Sequence, residues 1–143
     1  MTAPKDKKAD REKRIIISIG SNYNAHENMS YAKKKLSAML GKHTRFTKEI
    51  WTDPIGIDSG RFINCVCVSA TTHTLPQITR AFKQLEKQCE RSKKNDSLNK
   101  IPLDIDILLY GNTKLHADDW DREYIKALLK DYENELFIID TTL

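Results

Sequence analysis

Apolar residues recur along this chain in two rhythms, every second position and every third or fourth. Residues 15–19 form a β-branched run that stops at Gly20-Ser21-Asn22, the pattern of a buried first strand ending in a turn. Asn24, with Glu27 three residues on, has the form of a capping box. Met29, Ala32, Leu36, Met39 and Leu40 then recur at helical spacing, which predicts a helix to about Leu40 ended by Gly41. Residues 44–51 and 62–72 are expected strands. The second is apolar at nearly every position from 62 to 70, so it is expected to be central and covered on both faces, with Asn64 as the polar exception. Between them, Pro54, Gly56 and Gly60 interrupt both rhythms, and the connection is long enough to leave backbone free to line a pocket.

Thr74 and Gln77 form a second capping box with Pro76 in the first turn, and Ile78, Phe82, Leu85 and Cys89 supply a helical stripe that ends near Arg91. Residues 92–100 lack apolar periodicity apart from Leu98 and read as a mobile loop. In residues 103–110, Leu103, Ile105, Ile107 and Leu109 fall on one face of a strand, with Asp104 and Asp106 on the other. Gly111-Asn112 turns the chain. Trp120, Tyr124, Leu128 and Tyr132 mark a third helix with Arg122, Lys126 and Lys130 on its polar side, and residues 136–139 suggest a short edge strand. This order predicts the α+β class: a ferredoxin-like, antiparallel-rich sheet (βαββαβ), its first two helices on one face, with an extra C-terminal helix.

Composition narrows the picture. With 143 residues and 39% apolar content the chain is expected to form one domain, residues 15–143, behind a disordered charged tail, residues 1–14. That tail carries three of the four net positive charges, so the folded body is nearly neutral and no specific nucleic-acid partner is expected. No run approaches the roughly 18 apolar residues of a membrane span, and the N-terminus lacks the apolar stretch of a secretory signal. The odd count of three cysteines argues for reduced thiols, and the cytoplasm is the expected compartment. Cys65 and Cys67 are expected to be buried structural thiols. The four histidines are isolated in sequence and receive no chemistry.

Two carboxylates two residues apart on a core strand are costly unless something cationic meets them. Asp104 and Asp106 are close enough to converge on metal ions, and magnesium, which takes few carboxylates plus waters and phosphate oxygens, suits such a pair. The alternative is a pair of surface acids on an amphipathic strand. Arg91, Lys93, Lys94 and Lys100 stand just before the pair, where they can reach phosphate oxygens or remain solvated loop charges. Neither GxxxxGK[ST] nor GxGxxG occurs, so a nucleotide would be held by side chains and metal.

Ile19-Gly20-Ser21-Asn22, Phe62-Ile63-Asn64, and Leu103-Asp104-Ile105-Asp106-Ile107 followed by Tyr110-Gly111 resemble, in order and spacing, the (I)GSN, (Y/F)xN and LDxDI(L/M)xxG signatures of 6-hydroxymethyl-7,8-dihydropterin pyrophosphokinases. The resemblance covers about residues 15–112. It implies transfer of diphosphate from ATP to the hydroxymethyl group of a reduced pterin in folate synthesis, with AMP released. Asp104 and Asp106 would then ligate two magnesium ions. Asn64 would hydrogen-bond the pterin edge, with Phe62 and the segment of Thr52, Pro54, Ile55 and Gly56 beside it. Glu86, Arg91, Lys93 and Lys100 would serve the nucleotide, Arg91 also assisting catalysis. Leu98 and Ile101 stand where the family has a tryptophan and an arginine, and no Pro-His-Pro segment follows Asn112. Arg122, Lys126 or Lys130 would replace the missing phosphate contacts or face solvent. Two rival readings are a non-catalytic pterin- or nucleotide-binding domain of this fold and a ferredoxin-like RNA-binding module.

Overall fold

The computed structural model describes residues 12–130. Residues 1–11 of the expected tail, Tyr132 and the expected strand at 136–139 lie outside them. The strands are β1 (Lys13–Ser21), β2 (Arg45–Phe46), β3 (Ile50–Thr52), β4 (Phe62–Thr71), β5 (Asp104–Tyr110) and β6 (Thr113–Lys114). The helices are α1 (Ala25–Leu40), α2 (Leu75–Gln88), α3 (Lys93–Ser97), α4 (Ala117–Trp120) and α5 (Glu123–Lys130). The sheet runs β2-β4-β1-β5-β6, with β3 also on β4, and every pairing is antiparallel. With β2 and β3 sharing one edge of β4, this is the expected ferredoxin-like arrangement. Lys13 and Arg14 pair with Thr71 and Ala70, so the first strand begins inside the stretch expected to be tail.

Alternation along the strands gives the sheet two unlike faces. Ile15, Ile17 and Ile19 of β1 pack with Cys65 and Cys67 of β4 and Ile105 and Ile107 of β5 under α1 and α2. On the second face, Ile16, Val66, Val68 and Leu108 meet Ile125, Leu128 and Leu129 of α5. The three cysteines are buried and unpaired.

Several local expectations change for identifiable reasons. Asn24 precedes α1 with φ 47°, in the left-handed region, and its side chain makes no cap. An N-cap oxygen needs extended backbone to reach the helix donors. The second capping box does form: Thr74 Oγ1 accepts from the Gln77 N–H at 3.3 Å, and Gln77 Oε1 accepts from the Thr74 N–H at 2.9 Å. The strand expected at 44–51 splits at Thr47. Its N–H donates to Val66 O (2.8 Å) and its Oγ1 accepts from the Val66 N–H (2.9 Å), so a hydroxyl takes a carbonyl's place in the ladder.

The expected loop at 92–100 contains α3, capped by Ser92, whose Oγ accepts from the Asn95 N–H at 3.0 Å. A register shift opposite Ile16 and Ile17 turns Leu109 to the second face, against the expected alternation. The expected third helix is two helices, and Trp120, at the end of the first, donates its indole N–H to Leu108 O and Leu115 O, each at 3.0 Å.

Among the described residues, α5 supplies most of the cover for the apolar half of the second face, and Ile125 is 0% exposed within it. Ile125→Ala is expected to cost about 2–5 kcal/mol through lost transfer energy and a residual cavity. Urea unfolding should show a lower midpoint at unchanged slope, whereas the exposed Lys126→Ala should stay within about 0.5 kcal/mol of the parent.

Candidate active site

The half of the second face beyond α5 is polar. Register sets Gly20 of β1 between Asn64 of β4 and Asp104 of β5, and sets Ser18 opposite Asp106. With strands about 4.8 Å apart, Asn64 and Asp104 are separated by roughly 10 Å across Gly20. A Cβ at Gly20 would sit 2.5 Å from Asn64 Oδ1, so a side chain there would push the carboxamide out of its present position. Gly20 therefore does more than end a strand. Asn64 is 8% exposed, and its Nδ2 donates to Thr52 Oγ1 at 2.6 Å, which joins the asparagine to the start of the 53–61 segment.

Asp104 and Asp106 share this face. Both are half-buried, and the Asp106 carboxyl is pushed up to about 7, first by burial, then by the charge and hydrogen bonding of Asp104, with smaller effects from Asp119 and Glu86. Arg91 approaches Asp104: its Nη1 donates to Leu103 O at 3.0 Å and lies 3.4 Å from Asp104 Oδ1. Among the described residues no three His, Cys, Asp or Glu side chains cluster as metal ligands.

The other sequence-predicted residues divide. Glu86 is 3% exposed and engaged within the fold. Its Oε2 accepts from the Ile105 N–H at 2.9 Å and its Oε1 lies 3.5 Å from Lys83 Nζ, while burial pushes its carboxyl above the usual range. It closes a hydrogen bond on the open edge of β5. Lys93 is exposed on α3, and Lys100 is exposed with its Nζ 5.2 Å from the centre of the Tyr23 ring.

Phe62 pairs with Thr52 and is half-buried, as is Pro54. Ile55 is 56% exposed, and Gly56 has φ 80°. Amides tie these parts together. Asn22 donates to Asn99 O (2.9 Å) and accepts from the Ile101 N–H (2.6 Å), while Asn99 donates to Asp58 O (3.0 Å).

Two features escape sequence reasoning. One is a cavity of about 270 Å³ outside the open edge of β5, walled by Leu75, Phe82, Ile107 and Leu115, with Lys83, His116 and Asp106 among its polar residues. His116 carried no signal as an isolated histidine. The β5–β6 hairpin, held by Leu115 N–H donating to Leu108 O at 2.9 Å, carries it to the cavity that Asp106 also lines. The other is a polar group on the α4–α5 side. Arg122 pairs with Asp119 at 3.1 Å, and the nearby Tyr124 phenol is pushed up mainly by burial, with the charge of Arg122 acting against this and those of Asp119 and Asp104 adding to it. Arg122 is not a solvent-facing base of a continuous helix. It precedes α5 and is half-buried.

Asp106 gives stability a pH dependence of definite sign. Its carboxyl titrates near 4 in an unfolded chain and at about 7 in the fold. Its contribution is therefore fully present below about pH 4 and is lost as pH rises through about 7. In urea unfolding with a chelator present, the stability advantage of Asp106→Asn over the parent should grow by about 2–4 kcal/mol between about pH 4 and pH 8. A constant difference would contradict the raised titration.

Comparison with known proteins identifies the family. The family model for 7,8-dihydro-6-hydroxymethylpterin-pyrophosphokinase matches residues 16–134. The chain is 28% identical over 127 residues to a "Folate synthesis bifunctional protein" of Arabidopsis thaliana, covering 82% of this chain and 26% of that protein. It is 28% identical over 131 residues to a "Folate synthesis bifunctional protein, mitochondrial" of Pisum sativum, covering 85% of this chain and 25% of that protein. The chain thus spans about a quarter of the length of these relatives. The family match takes in Asn64, Arg91, both carboxylates and the whole of α5, and the chain belongs to the 7,8-dihydro-6-hydroxymethylpterin-pyrophosphokinase family.

Proposed function

We propose that this chain transfers the β,γ-diphosphate of ATP to the hydroxymethyl group of 6-hydroxymethyl-7,8-dihydropterin, releasing AMP in folate synthesis. The observation that carries the reading is that Asn64 and the pair Asp104 and Asp106 share one open half of a sheet face, on either side of Gly20. The cavity outside β5 lies beyond the carboxylates, on the side away from Asn64. A pterin at Asn64 and a nucleotide in that cavity would therefore meet over Asp104 and Asp106.

In this reading the buried carboxamide of Asn64 recognises the pterin edge, held in orientation by Thr52, while Phe62 and the backbone of residues 52–56 border the ring. The apolar walls Leu75, Phe82 and Leu115 take the adenine, and Lys83 and His116 offer polar contacts to the ribose and phosphates. Arg91 is the nearest fixed cation to the transferred group, and the exposed Lys93 and Lys100 add mobile ones. Glu86 supports β5 through Ile105 instead of touching nucleotide.

The hydroxymethyl oxygen forms a bond to the β-phosphorus. The bond from that phosphorus to the α,β-bridging oxygen breaks, AMP leaves with that oxygen, and the hydroxyl proton is released. The donor set fits magnesium: two hard carboxylates, that of Asp106 raised by burial and by the charge of Asp104, which a bound cation would offset. Bound by Asp104 and Asp106, two such ions would offset charge on the triphosphate and activate the attacking oxygen.

The three buried, unpaired thiols suit a reducing compartment such as the cytoplasm. Among the described residues no helix is long and apolar enough to cross a membrane.

The test is AMP formation from ATP that requires the hydroxymethyl pterin. Asp104→Ala and Asp106→Ala should each lower kcat by at least about 100-fold. Full activity in both would remove the pair from the mechanism. Asn64→Ala should weaken pterin binding about tenfold or more, by removing matched donors and acceptors, and leave ATP binding unchanged. Calorimetric pterin binding without AMP formation would select the non-catalytic binding domain instead.

A further inference from the structure

The Arg91 guanidinium has two unlike carboxylate partners. Along one edge, Nε lies 2.7 Å from Asp96 Oδ1 and Nη2 lies 3.4 Å from Asp96 Oδ2, a two-point contact. At the other end, Nη1 donates to Leu103 O at 3.0 Å and reaches Asp104 Oδ1 only at 3.4 Å. Asp96 is held in α3, its N–H donating to Ser92 O at 2.9 Å, while Asn95 Nδ2 donates to Glu90 O at 2.8 Å and anchors the same turn to the end of α2. The Arg91 N–H donates to Glu86 O at 3.0 Å, so its backbone is also fixed. The α3 turn therefore presents one acid to the outer edge of one arginine.

We propose that Asp96 is the positioning residue for Arg91: it keeps the Nε–Nη2 edge while Nη1 exchanges Asp104 for an oxygen of the transferred diphosphate. The inference rests on the diphosphate-transfer reading. The two acids differ in a way that suits this division. Asp96 makes the shorter, two-point contact, which fixes the plane of the guanidinium. Asp104 makes one long contact, and any cation recruited to the Asp104–Asp106 pair repels the guanidinium from it. Without Asp96, a flexible arginine at a partly exposed site would lose its orientation whenever Asp104 is otherwise engaged.

A double-mutant cycle with a spectroscopic readout tests this. Asp96 is half-exposed on a one-turn helix, so its variants should fold. Asp96→Ala is expected to lower kcat about tenfold with the pterin KM unchanged, Asp96→Glu to recover part of the loss, and Asp96→Ala to add nothing in an Arg91→Ala background. In nitrogen-15 NMR of the unliganded protein, the Arg91 Nε–H should exchange slowly in the parent and Asp96→Glu, and rapidly in Asp96→Ala.

The proposal fails if Asp96→Ala leaves kcat unchanged, if its effect multiplies with that of Arg91→Ala, or if the Nε–H exchanges equally in parent and variant. A protein that forms no AMP but loses Nε–H protection in Asp96→Ala would sink the transfer reading and uphold the clamp alone. Full activity in Arg91→Ala would remove Arg91, and with it this role for Asp96.

Discussion

A sheet has two faces, and among the described residues helices cover the first face and the apolar half of the second. Helices of sixteen and fourteen residues, α1 and α2, lie across the first face. The second meets α5, eight residues and about 12 Å long, against a β1 of nine residues that spans roughly 30 Å. No described helix lies over the other half, and the residues that occupy it, Ser18, Gly20, Asn64, Asp104 and Asp106, are polar or glycine. The site is where helical cover ends, and the strand register decides which polar groups meet there.

Covering the other half has a consequence for electrostatics. Burial raises the carboxyl of Asp106, and the charges of Asp104, Asp119 on α4 and Glu86 add to the effect. Burial also strengthens its repulsion with Asp104. Such a pair weakens the folded state at neutral pH, a cost consistent with a functional site rather than a stabilising one. Arg91 relieves Asp104 in part, and nothing equivalent is bonded to Asp106 among the described residues.

How much of this was legible in the sequence depended on whether a signal was local. The isoleucine run at 15–19, the stripes of α1 and α2, and the alternation that sets Asp104 and Asp106 against Ile105 and Ile107 are properties of neighbouring residues, and they predict the elements and the acidic pair. Thr47 and Leu109 depart from the pattern because a hydroxyl entered a ladder in one case and a register shift turned the strand in the other. Asn24 has the right letters for a cap but the wrong backbone region. The role of Gly20 depends on Asn64, 44 positions away, and His116 gains its place only through the β5–β6 hairpin. Contacts of that kind come from tertiary placement, which no period of 2 or 3.6 encodes.

The balance of charge around β5 bears on what the site can accept. Asp104 and Asp106 lie on the strand face, Glu86 meets its edge at Ile105, and Asp119 adds to the same field. Arg91 is already divided between Asp96 and Asp104, Arg122 is paired with Asp119, and Lys83 is near Glu86. These cations are largely committed to acids of the fold, so a bare triphosphate entering from the β5 edge would meet a field of its own sign. On the proposed transfer reading, a polyphosphate carrying divalent cations would reverse this: Asp104 and Asp106 would hold the cations, and the Nη1 end of Arg91 would be free to face the phosphate. In the transfer reading, the same repulsion that weakens the empty fold selects the metal complex of the nucleotide over the free anion.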